Sequence, residues 1–370
     1  MYNVAIDTGP LLTGHSFRGI GVNTRELLFA LEKIERKDIK IEAVDFSKTD
    51  LSKYDIVHYQ SFNPFFKTLP GKKLGKKVVV TIHDLIPLIY KEHYPPGIRG
   101  KINFWLQKSR LLKYVDLVIT ISETSKKDIV RFLNYSSEKI KVVHLAPRDI
   151  FRPVNDLKKL QKIKKKFNLP DKFILYVGDV NYNKNISTLV KACKDLDITL
   201  IIVGKHALQI DEGHSKKPYL GGPNDWIRFL FNKPHPETAH FKTLSHLFSQ
   251  NKKIVRLGYV EDEDLVSVYN LASVYVQPSF YEGFGLPVLE AMACGTPVIA
   301  SKINAHREIA DNKALFFNPK DVSDLKDKVR LVIEDKRLAT KLSQKSLDNV
   351  KKYSWEKTAK GVLEAYEEIL

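Results

Sequence analysis

Short runs of β-branched and other apolar residues alternate with longer amphipathic segments along the whole 370-residue chain. This alternation limits the possible folds more than any other feature. Several runs, such as residues 78–82 and 198–203, are apolar throughout, as in parallel strands that are covered on both faces. Strands that alternate with helices form doubly wound α/β sheets. We predict strands at residues 4–6, 41–44, 55–59, 78–82, 117–121, 142–144, 173–177, 198–203, 254–257, 274–276 and 298–300.

So many strands would make one sheet unusually wide, and the chain contains a break between two sets of them. Three prolines bracket the basic, helical segment 158–166: Pro147, Pro153 and Pro170. We therefore predict two α/β domains of similar size, residues 1–150 and residues 151–353, with a hinge near residues 147–155. An amphipathic helix over residues 354–370 closes the chain.

The net charge limits the classes of binding partner, and the cysteine content indicates the cellular compartment. Lys and Arg number 60 against 43 Asp and Glu, a net charge of +17, which points to nucleic acid, anionic lipid or a phosphorylated small molecule. The basic runs 72–77 and 158–166 are either solvated faces or contacts to anionic lipid. No stretch approaches the ~18 apolar residues of a membrane span, and two cysteines are too few for a disulfide framework. We expect a cytoplasmic protein, with peripheral attachment to the inner face of the cell membrane as a further option.

The segment 280–297 carries the strongest functional signal. A glycine-containing loop follows a strand, and Pro287 opens a helix at a position where its missing N–H costs nothing. Backbone N–H groups and the helix dipole make such a loop attractive to an anion. Glu282 precedes the loop, and Glu290 is expected in the first helical turn. Because carboxylates only accept hydrogen bonds, the loop suits a ligand that combines a phosphate with several hydroxyls, such as a sugar nucleotide.

Two further segments are candidates by position. His83 and Asp84 follow the strand at 78–82, at the edge where ligands of open α/β sheets bind, and Asp84 is placed to orient the imidazole. Gly19 and Gly21 lie in a loop before a helix that begins at residue 23, where they allow close approach of a ligand or form a structural turn. No Asp-x-Asp pair or His/Cys/Asp cluster has metal-ligand spacing, so we expect metal-independent chemistry without a cofactor.

Glu282 and Glu290, with Gly-Phe-Gly-Leu-Pro between them, resemble the E-x7-E signature of family-4 retaining glycosyltransferases. The resemblance continues to Ser301 and extends over most of the chain in short motifs, among them Arg18-Gly19-Ile20-Gly21, Tyr176-Val177-Gly178 and Asn183-Lys184-Asn185. It implies the GT-B architecture, in which two Rossmann-like domains face a cleft. It also implies that residues 1–150, completed by the helix 354–370, form the acceptor domain and that residues 151–353 hold the donor.

The resemblance also implies roles for single residues. Glu290 is expected to bind the ribose diol, Glu282 to contact hydroxyls of the transferred sugar, and His83 to contact that sugar. Lys184 is expected to neutralise the diphosphate, and with Glu282 and His83 it makes up the predicted catalytic set. The remaining expected donor contacts are Gly283, Phe284, Gly285, Leu286, Gly178, Gly19 and Gly21. Where the family has a second basic residue this chain has Asp179, and the candidates to replace that charge are Arg18, Lys205 and Arg148.

The sequence therefore predicts a retaining hexosyltransferase. By resemblance to bacterial mannosyltransferases of polysaccharide assembly, the first choice is mannose from GDP-mannose, moved to a saccharide or lipid-linked acceptor. The alternatives are a UDP-glucose-type transferase, a sugar-nucleotide epimerase or phosphorylase of the same architecture, and a basic nucleic-acid-binding protein. The last is disfavoured because the lysine runs lie outside the aromatic-rich stretches. Residues 206–250 fit the strand–helix alternation poorly, and we expect them to shape the acceptor side or a subunit contact.

Overall fold

The structure, a computed structural model, describes residues 1–12, 19–196, 198–212 and 235–370. Arg18 and the middle of the predicted segment 206–250 lie outside the described residues. The chain divides into two compact units. Unit 1 comprises Met1–Lys91, Pro95–Ala146 and Tyr353–Leu370, and unit 2 comprises Glu92–Tyr94 and Pro147–Lys352.

Unit 1 is built on a six-stranded parallel sheet in the order β2-β1-β3-β4-β5-β6. Its strands are β1 (Tyr2–Asp7), β2 (Ile39–Val44), β3 (Ile56–Tyr59), β4 (Lys77–Ile82), β5 (Leu117–Thr120) and β6 (Ile140–Val142). Every residue of β3 and β5 is buried, because helices cover both faces of a doubly wound sheet. The last strand begins two residues before its predicted position.

Helices of unit 1 connect these strands. They are α1 (Gly9–Leu12), α2 (Gly19–Glu32), α3 (Ile86–Ile89), α4 (Gly97–Tyr114), α5 (Glu123–Asp128) and α15 (Trp355–Glu367). A π-helical turn at Ile129–Leu133 extends α5, and a 3₁₀ turn at Ser137–Lys139 precedes β6. The second helix begins at Gly19 rather than at residue 23, so Gly19 and Gly21 lie in its first turn and not in a loop.

The closing helix α15 belongs to unit 1 and packs there through its apolar face. Ser354 Oγ caps the helix by accepting the Lys357 N–H at 3.2 Å. Tyr366 is fully buried, and its hydroxyl lies 2.6 Å from Nδ1 of His58. His58, at the end of β3, also contacts Thr81 Oγ1 at 2.7 Å. This buried histidine therefore ties the helix to the sheet.

Unit 2 repeats the plan with a parallel sheet in the order β12-β11-β10-β7-β8-β9. Its strands are β7 (Phe173–Val177), β8 (Thr199–Val203), β9 (Ile254–Gly258), β10 (Val274–Gln277), β11 (Val298–Ser301) and β12 (Leu315–Phe317). The edge strand β12 was not predicted: it has only three residues and two of them are half-buried. The predicted doubly wound parallel architecture is confirmed for both sheets.

Nine described helices surround the second sheet: α6 (Leu157–Lys166), α7 (Ile186–Lys194), α8 (Lys205–Glu212), α9 (Pro236–Ser249), α10 (Asp262–Leu271), α11 (Leu286–Ala293), α12 (Asn304–Ala310), α13 (Val322–Glu334) and α14 (Lys336–Val350). A 3₁₀ turn at Tyr182–Lys184 follows β7. In the described ranges, no helix is both long enough and apolar enough to cross a bilayer.

Candidate functional site

The candidate site lies in unit 2 at the carboxyl ends of the neighbouring strands β7 and β10, the edge at which open parallel sheets bind ligands. The loop after β10 ends at Gly285, which has a φ of 110°. The backbone angle favours glycine, and a Cβ there would press on two side chains, 3.0 Å from Ile309 Cδ1 and 3.2 Å from His306 Cδ2. Pro287 lies in the first turn of α11, as predicted.

The loop after β7 is joined to the loop after β10 by asparagine side chains. Asn183 Nδ2 donates to the Tyr281 carbonyl at 3.2 Å, and the Asn183 carbonyl accepts from Phe280 N at 2.8 Å. Asn185 adopts a left-handed conformation and donates to the Pro278 carbonyl at 2.9 Å. These bonds position the residue between the two asparagines, Lys184.

The structure brings Lys184 and Glu282 together. Lys184 Nζ lies 2.9 Å from both carboxylate oxygens of Glu282, which is 6% exposed. Glu282 Oε1 also accepts from Gln277 Nε2 at 2.9 Å and from Ser279 Oγ at 2.6 Å. Burial by itself would raise the pKa of Glu282, but the Lys184 ammonium and these hydrogen bonds outweigh it and leave the pKa below its ordinary value. Glu282 is therefore ionised, with Oε1 accepting from three donors and Oε2 from Lys184.

Glu290 has a different environment. The sequence predicted it in the first turn of α11, but it is the fifth residue of that helix and lies in the second turn. It is 9% exposed, and Oε2 accepts from the Tyr269 hydroxyl at 3.1 Å. Burial raises the pKa of Glu290 to about 7, although the nearby Arg148 charge and the Tyr269 bond act in the opposite direction and Asp262 adds to the rise. Near neutral pH this carboxyl is poised between its two protonation states.

A buried tyrosine lies in the field of both carboxylates. Tyr275 is fully buried, and burial raises its pKa, with further contributions from Glu290 and Glu282. Its hydroxyl donates to Gln277 Oε1, whose amide group in turn donates to Glu282. On its other side, the Tyr275 ring centroid lies 5.6 Å from that of Tyr269, the partner of Glu290. Two buried tyrosines that pack against each other thus lie between the hydrogen-bond partners of the two carboxylates.

The sequence did not identify these supporting side chains. Gln277, Ser279, Tyr269 and Tyr275 were not among the predicted site residues. A signal for two of them was present, since Gln277 and Ser279 are polar residues at the carboxyl end of an otherwise apolar strand. The two tyrosines carried no such signal, because an aromatic residue in an apolar run is typical of a core.

The other donor-side candidates in unit 2 lie in or beside the same loops, whereas Gly19 and Gly21 lie in α2 of unit 1. Gly283 and Phe284 are buried in the loop after β10, and Leu286 begins α11. Gly178 follows β7 with a φ of 148°, and a Cβ there would lie 2.9 Å from the Tyr176 hydroxyl. These positions share the edge of the sheet that holds Lys184.

The candidates for a second cation are in different surroundings. Asp179 Oδ1 lies 2.7 Å from His206 Nδ1, and Lys205 is the exposed first residue of α8. Arg148 forms a bidentate ion pair with Asp262. Its positive charge acts to lower the pKa of Glu290, against the larger effect of burial. Arg148 is therefore associated with Glu290.

His83 and Asp84 belong to unit 1. His83 Nε2 lies 3.2 Å from the Gln60 carbonyl, and burial lowers the pKa of His83 to about 4. Asp84 Oδ1 accepts the Ile86 N–H at 3.1 Å and so bonds to the start of α3. The Gln60 carbonyl is thus one hydrogen-bond acceptor for the His83 imidazole, and the orienting role expected of Asp84 stays a prediction.

The family comparisons agree with this geometry. The description "Glycosyl transferases group 1" matches residues 158–348, more than half of the chain, and the chain belongs to this family. The description "Glycosyltransferase Family 4" matches residues 25–146. The resemblance inferred from the loop around Gly285 is therefore confirmed.

Individual relatives are more distant. The chain is 28% identical over 326 residues to the serotype-specific mannosyltransferase WbdA of Escherichia coli, an alignment that covers 85% of this chain and 37% of WbdA. It is 28% identical over 299 residues to O-antigen chain mannosyltransferase B of Escherichia coli, with 79% of this chain and 70% of that protein covered. This chain thus spans little more than a third of the length of WbdA.

Among solved structures, the chain resembles sucrose-phosphate synthase from Thermosynechococcus elongatus with a TM-score of 0.72 and 20% identity, over 100% of this chain and 99% of the other. At this level of identity the likeness concerns the fold alone. It confirms the predicted GT-B class.

Proposed function

We propose that the chain is a retaining hexosyltransferase that moves mannose from GDP-mannose to a saccharide or lipid-linked acceptor. Membership of the glycosyl transferases group 1 supports the reaction class. The names of two relatives, serotype-specific mannosyltransferase and O-antigen chain mannosyltransferase, support mannose and a saccharide acceptor. The observation that carries the proposal is the Lys184–Glu282 pair beside the loop that begins α11.

Lys184 supplies positive charge where the leaving group departs. As the sugar leaves, negative charge grows on the diphosphate, and a cation that is already positioned stabilises that charge without reorganisation. The asparagines on either side of Lys184 hold its backbone, and Glu282 holds its ammonium group. The positive end of the α11 dipole adds to this field.

Glu290 binds the nucleotide ribose in this proposal. A carboxylate accepts hydrogen bonds from both hydroxyls of a cis-diol. Its buried position beside Tyr269 keeps competing water away, which strengthens each bond in a low local dielectric. The contact acts in donor binding and not in bond cleavage.

Retention of configuration is proposed to occur by front-face attack, in which the departing phosphate accepts the proton of the acceptor hydroxyl. The alternative is a covalent intermediate on Glu282. Glu282 is a poor nucleophile in its observed state, because Lys184, Gln277 and Ser279 already occupy its oxygens. Recovery of a peptide glycosylated at Glu282 would reverse this choice.

We further propose that the enzyme needs no divalent metal and works in the cytoplasm at an anionic membrane surface. Lys184 takes the role that a divalent cation would otherwise have at the diphosphate. The two cysteines, Cys193 and Cys294, are buried free thiols, as in proteins of reducing compartments. A membrane location would bring the enzyme to a lipid-linked acceptor.

The test is a thermal-shift screen against GDP-, UDP-, ADP- and dTDP-sugars, since a ligand that binds the folded state raises its stability by mass action. GDP-mannose is expected to give the largest shift, and the shift is expected to survive EDTA. NMR of the product then reports the anomeric configuration. A larger shift with UDP-glucose would reassign the donor.

The outcome that contradicts the proposal is a screen in which no sugar nucleotide stabilises the protein. Stabilisation without transfer to any saccharide acceptor would favour the epimerase alternative. Stabilisation by an oligonucleotide alone, lost as salt is raised, would favour the nucleic-acid-binding alternative.

A further inference from the structure

Helix α4 in unit 1 exposes its apolar side chains instead of burying them. Ile98, Ile102 and Trp105 are 63%, 57% and 68% exposed, and their spacing places them on one face of the helix. Leu106 and Leu112 extend this face and are 43% and 48% exposed. We call these five residues the α4 outer face.

The buried side of the same helix carries two amide side chains, Asn103 and Gln107, beside Gly100 and Leu111. Asn103 Nδ2 donates to the Phe65 carbonyl at 2.9 Å. Gln107 Oε1 accepts the Leu69 N–H at 2.8 Å. These side chains hold the loop before β4 against the helix, and Phe66 in that loop is 66% exposed. The fold therefore packs α4 through these two amides and Leu111, and within unit 1 it leaves the α4 outer face uncovered.

The charge of the helix indicates what covers the outer face. The sequence of α4 contains five basic residues and no acidic one: Arg99, Lys101, Lys108, Arg110 and Lys113. Arg99, Lys101 and Lys113 are exposed. At 100° per residue, Arg99 and Lys101 fall on opposite borders of the α4 outer face. An apolar stripe with basic borders is the pattern of helices that lie in the interface of a membrane.

We propose that the α4 outer face docks on an anionic lipid bilayer. Ile98, Ile102 and Trp105 enter the boundary between headgroups and acyl chains, and the basic residues contact anionic headgroups. Trp105 suits this depth because indole combines an apolar ring with one N–H donor. A second copy of the chain fits this face less well than a bilayer does. Its own α4 would place five basic residues against the five of the first copy, and like charges repel. The proposal assigns a surface to the membrane attachment proposed above and in that sense rests on it.

Helix α6 has more lysines but is not an equivalent surface. Its apolar Ile163 is 4% exposed, so its apolar side is turned inward in the usual way. Lys164 pairs with Asp171, and Lys166 pairs with Asp264. High charge alone thus gives α6 a solvated face, whereas α4 combines charge with uncovered apolar area.

Vesicle flotation tests the assignment, with the full chain and vesicles of phosphatidylcholine with or without phosphatidylglycerol. The wild-type chain is expected to float only with the anionic vesicles. Ile102→Ser/Trp105→Ser is expected to weaken binding by about tenfold or more, because both side chains leave water on binding. Lys101→Glu/Lys113→Glu is expected to weaken it by at least about 25-fold, since each lysine near the surface contributes about fivefold.

Matched controls are available on α6. Leu157→Ser removes an apolar side chain that is 74% exposed, and Lys158→Glu/Lys162→Glu changes the net charge by the same amount as the α4 double variant. Both are expected to bind close to the wild-type level. Equal loss in the α6 charge variant would overturn the proposal in favour of a general charge effect. Binding that survives both α4 variants would overturn it as well.

Two further readouts separate this proposal from the others. If the α4 variants change the oligomeric state in gel filtration without vesicles, the face covers a second copy and the lipid assignment is wrong. The thermal shift with GDP-mannose is expected to be the same in wild type and α4 variants without vesicles. Loss of vesicle binding with an unchanged shift thus supports the α4 assignment, and absence of any sugar-nucleotide shift would refute only the enzymatic proposal.

Discussion

The two ends of the loop that joins β10 to α11 carry the same side chain in different surroundings. Glu282 has a lysine and two neutral donors on its oxygens, and its pKa lies below the ordinary value. Glu290 has one tyrosine hydroxyl and a more distant arginine, and burial raises its pKa to about 7. Two carboxylates that are about equally buried therefore have pKa values shifted in opposite directions, because a cation contacts only Glu282 directly.

The difference separates two tasks. An ionised carboxylate that already accepts from a lysine and two neutral donors can hold that lysine in place. A buried carboxylate with few partners gains from a ligand that brings hydroxyl donors, because that ligand replaces missing hydrogen bonds. Under the proposed function, this difference fits Glu282 as the contact that positions Lys184 and Glu290 as the ribose contact. The sugar contact expected of Glu282 stays a prediction.

The largest effect is expected at the cation. Lys184→Ala should lower kcat by about 10²–10³, as when one preorganised donor to a developing charge is lost. Steady-state kinetics with saturating donor measures this change. Lys191→Ala, an exposed lysine on the neighbouring helix α7, is the control. A drop below about threefold would remove Lys184 from the mechanism.

A double variant separates catalysis from folding at this pair. Removing Lys184 alone leaves the Glu282 carboxylate buried without its cation, which destabilises the fold. Lys184→Met/Glu282→Gln removes both charges and is expected to restore thermal stability while kcat stays low. Recovery of kcat together with stability would mean that the single variant had only unfolded.

The next largest effect is on donor affinity. Glu290→Ala should weaken GDP-mannose binding by about 1.5–3 kcal/mol, the range for hydrogen bonds to a charged group, with a smaller effect on bound-state turnover. Isothermal calorimetry measures the affinity, and Glu334→Ala on the exposed side of α13 serves as the control. An unchanged affinity would contradict the ribose contact.

The raised pKa of Glu290 predicts that the stability of the ligand-free protein depends on pH. The folded state binds this proton more tightly than the unfolded chain, whose ordinary pKa is 4.5. The resulting stabilisation is present below about pH 4.5 and is lost as the pH rises through about 7. Relative to Glu290→Gln, which cannot titrate, the wild type should lose about 2.5 kcal/mol of unfolding free energy between pH 5 and pH 8. Denaturation curves that stay parallel would refute the raised pKa.

The smallest effect on donor affinity is expected from removal of the Tyr269 hydroxyl, which donates to Glu290. Tyr269→Phe removes one donor, so donor affinity should fall by about 0.5–1.5 kcal/mol and the pKa of Glu290 should rise further. Tyr135→Phe is a matched control, because the Tyr135 hydroxyl is also buried and donates to the Val115 carbonyl in unit 1 at 2.9 Å. Equal changes in donor binding for both variants would mean that the Tyr269 bond has no special role.

Much of the fold was predictable because burial on both faces leaves a direct trace in the sequence. The apolar runs at 78–82 and 173–177 became β4 and β7 with a shift of at most one residue. The edge strand β12 left no such trace, since an edge strand is covered less. The start of α2 was predicted four residues late, because glycines were taken as a loop signal although two of them lie in its first turn.

The candidate site was predictable at the level of a motif. The spacing of Glu282, Gly285 and Pro287 indicated a strand, an anion-binding loop and a helix, and the family assignment that follows from it is confirmed. The contact between Lys184 and Glu282 was not predictable from spacing, because 98 residues separate them in the chain. The exposure of the α4 outer face was not predictable either. It depends on Asn103 and Gln107, on the opposite side of the helix, which bond to a loop more than 30 residues away in the chain.

The sequence by itself determined the alternation of strands and helices, the glycine-containing turn before α11 and the family. These depend on local periodicity and on backbone angles that few residues tolerate. Only the tertiary structure decided which glutamate is ionised, which side chains hold Lys184 and which face of α4 stays exposed. Electrostatic interactions and burial depend on distances between groups that are remote in the chain, and such distances exist only after the sheets have formed.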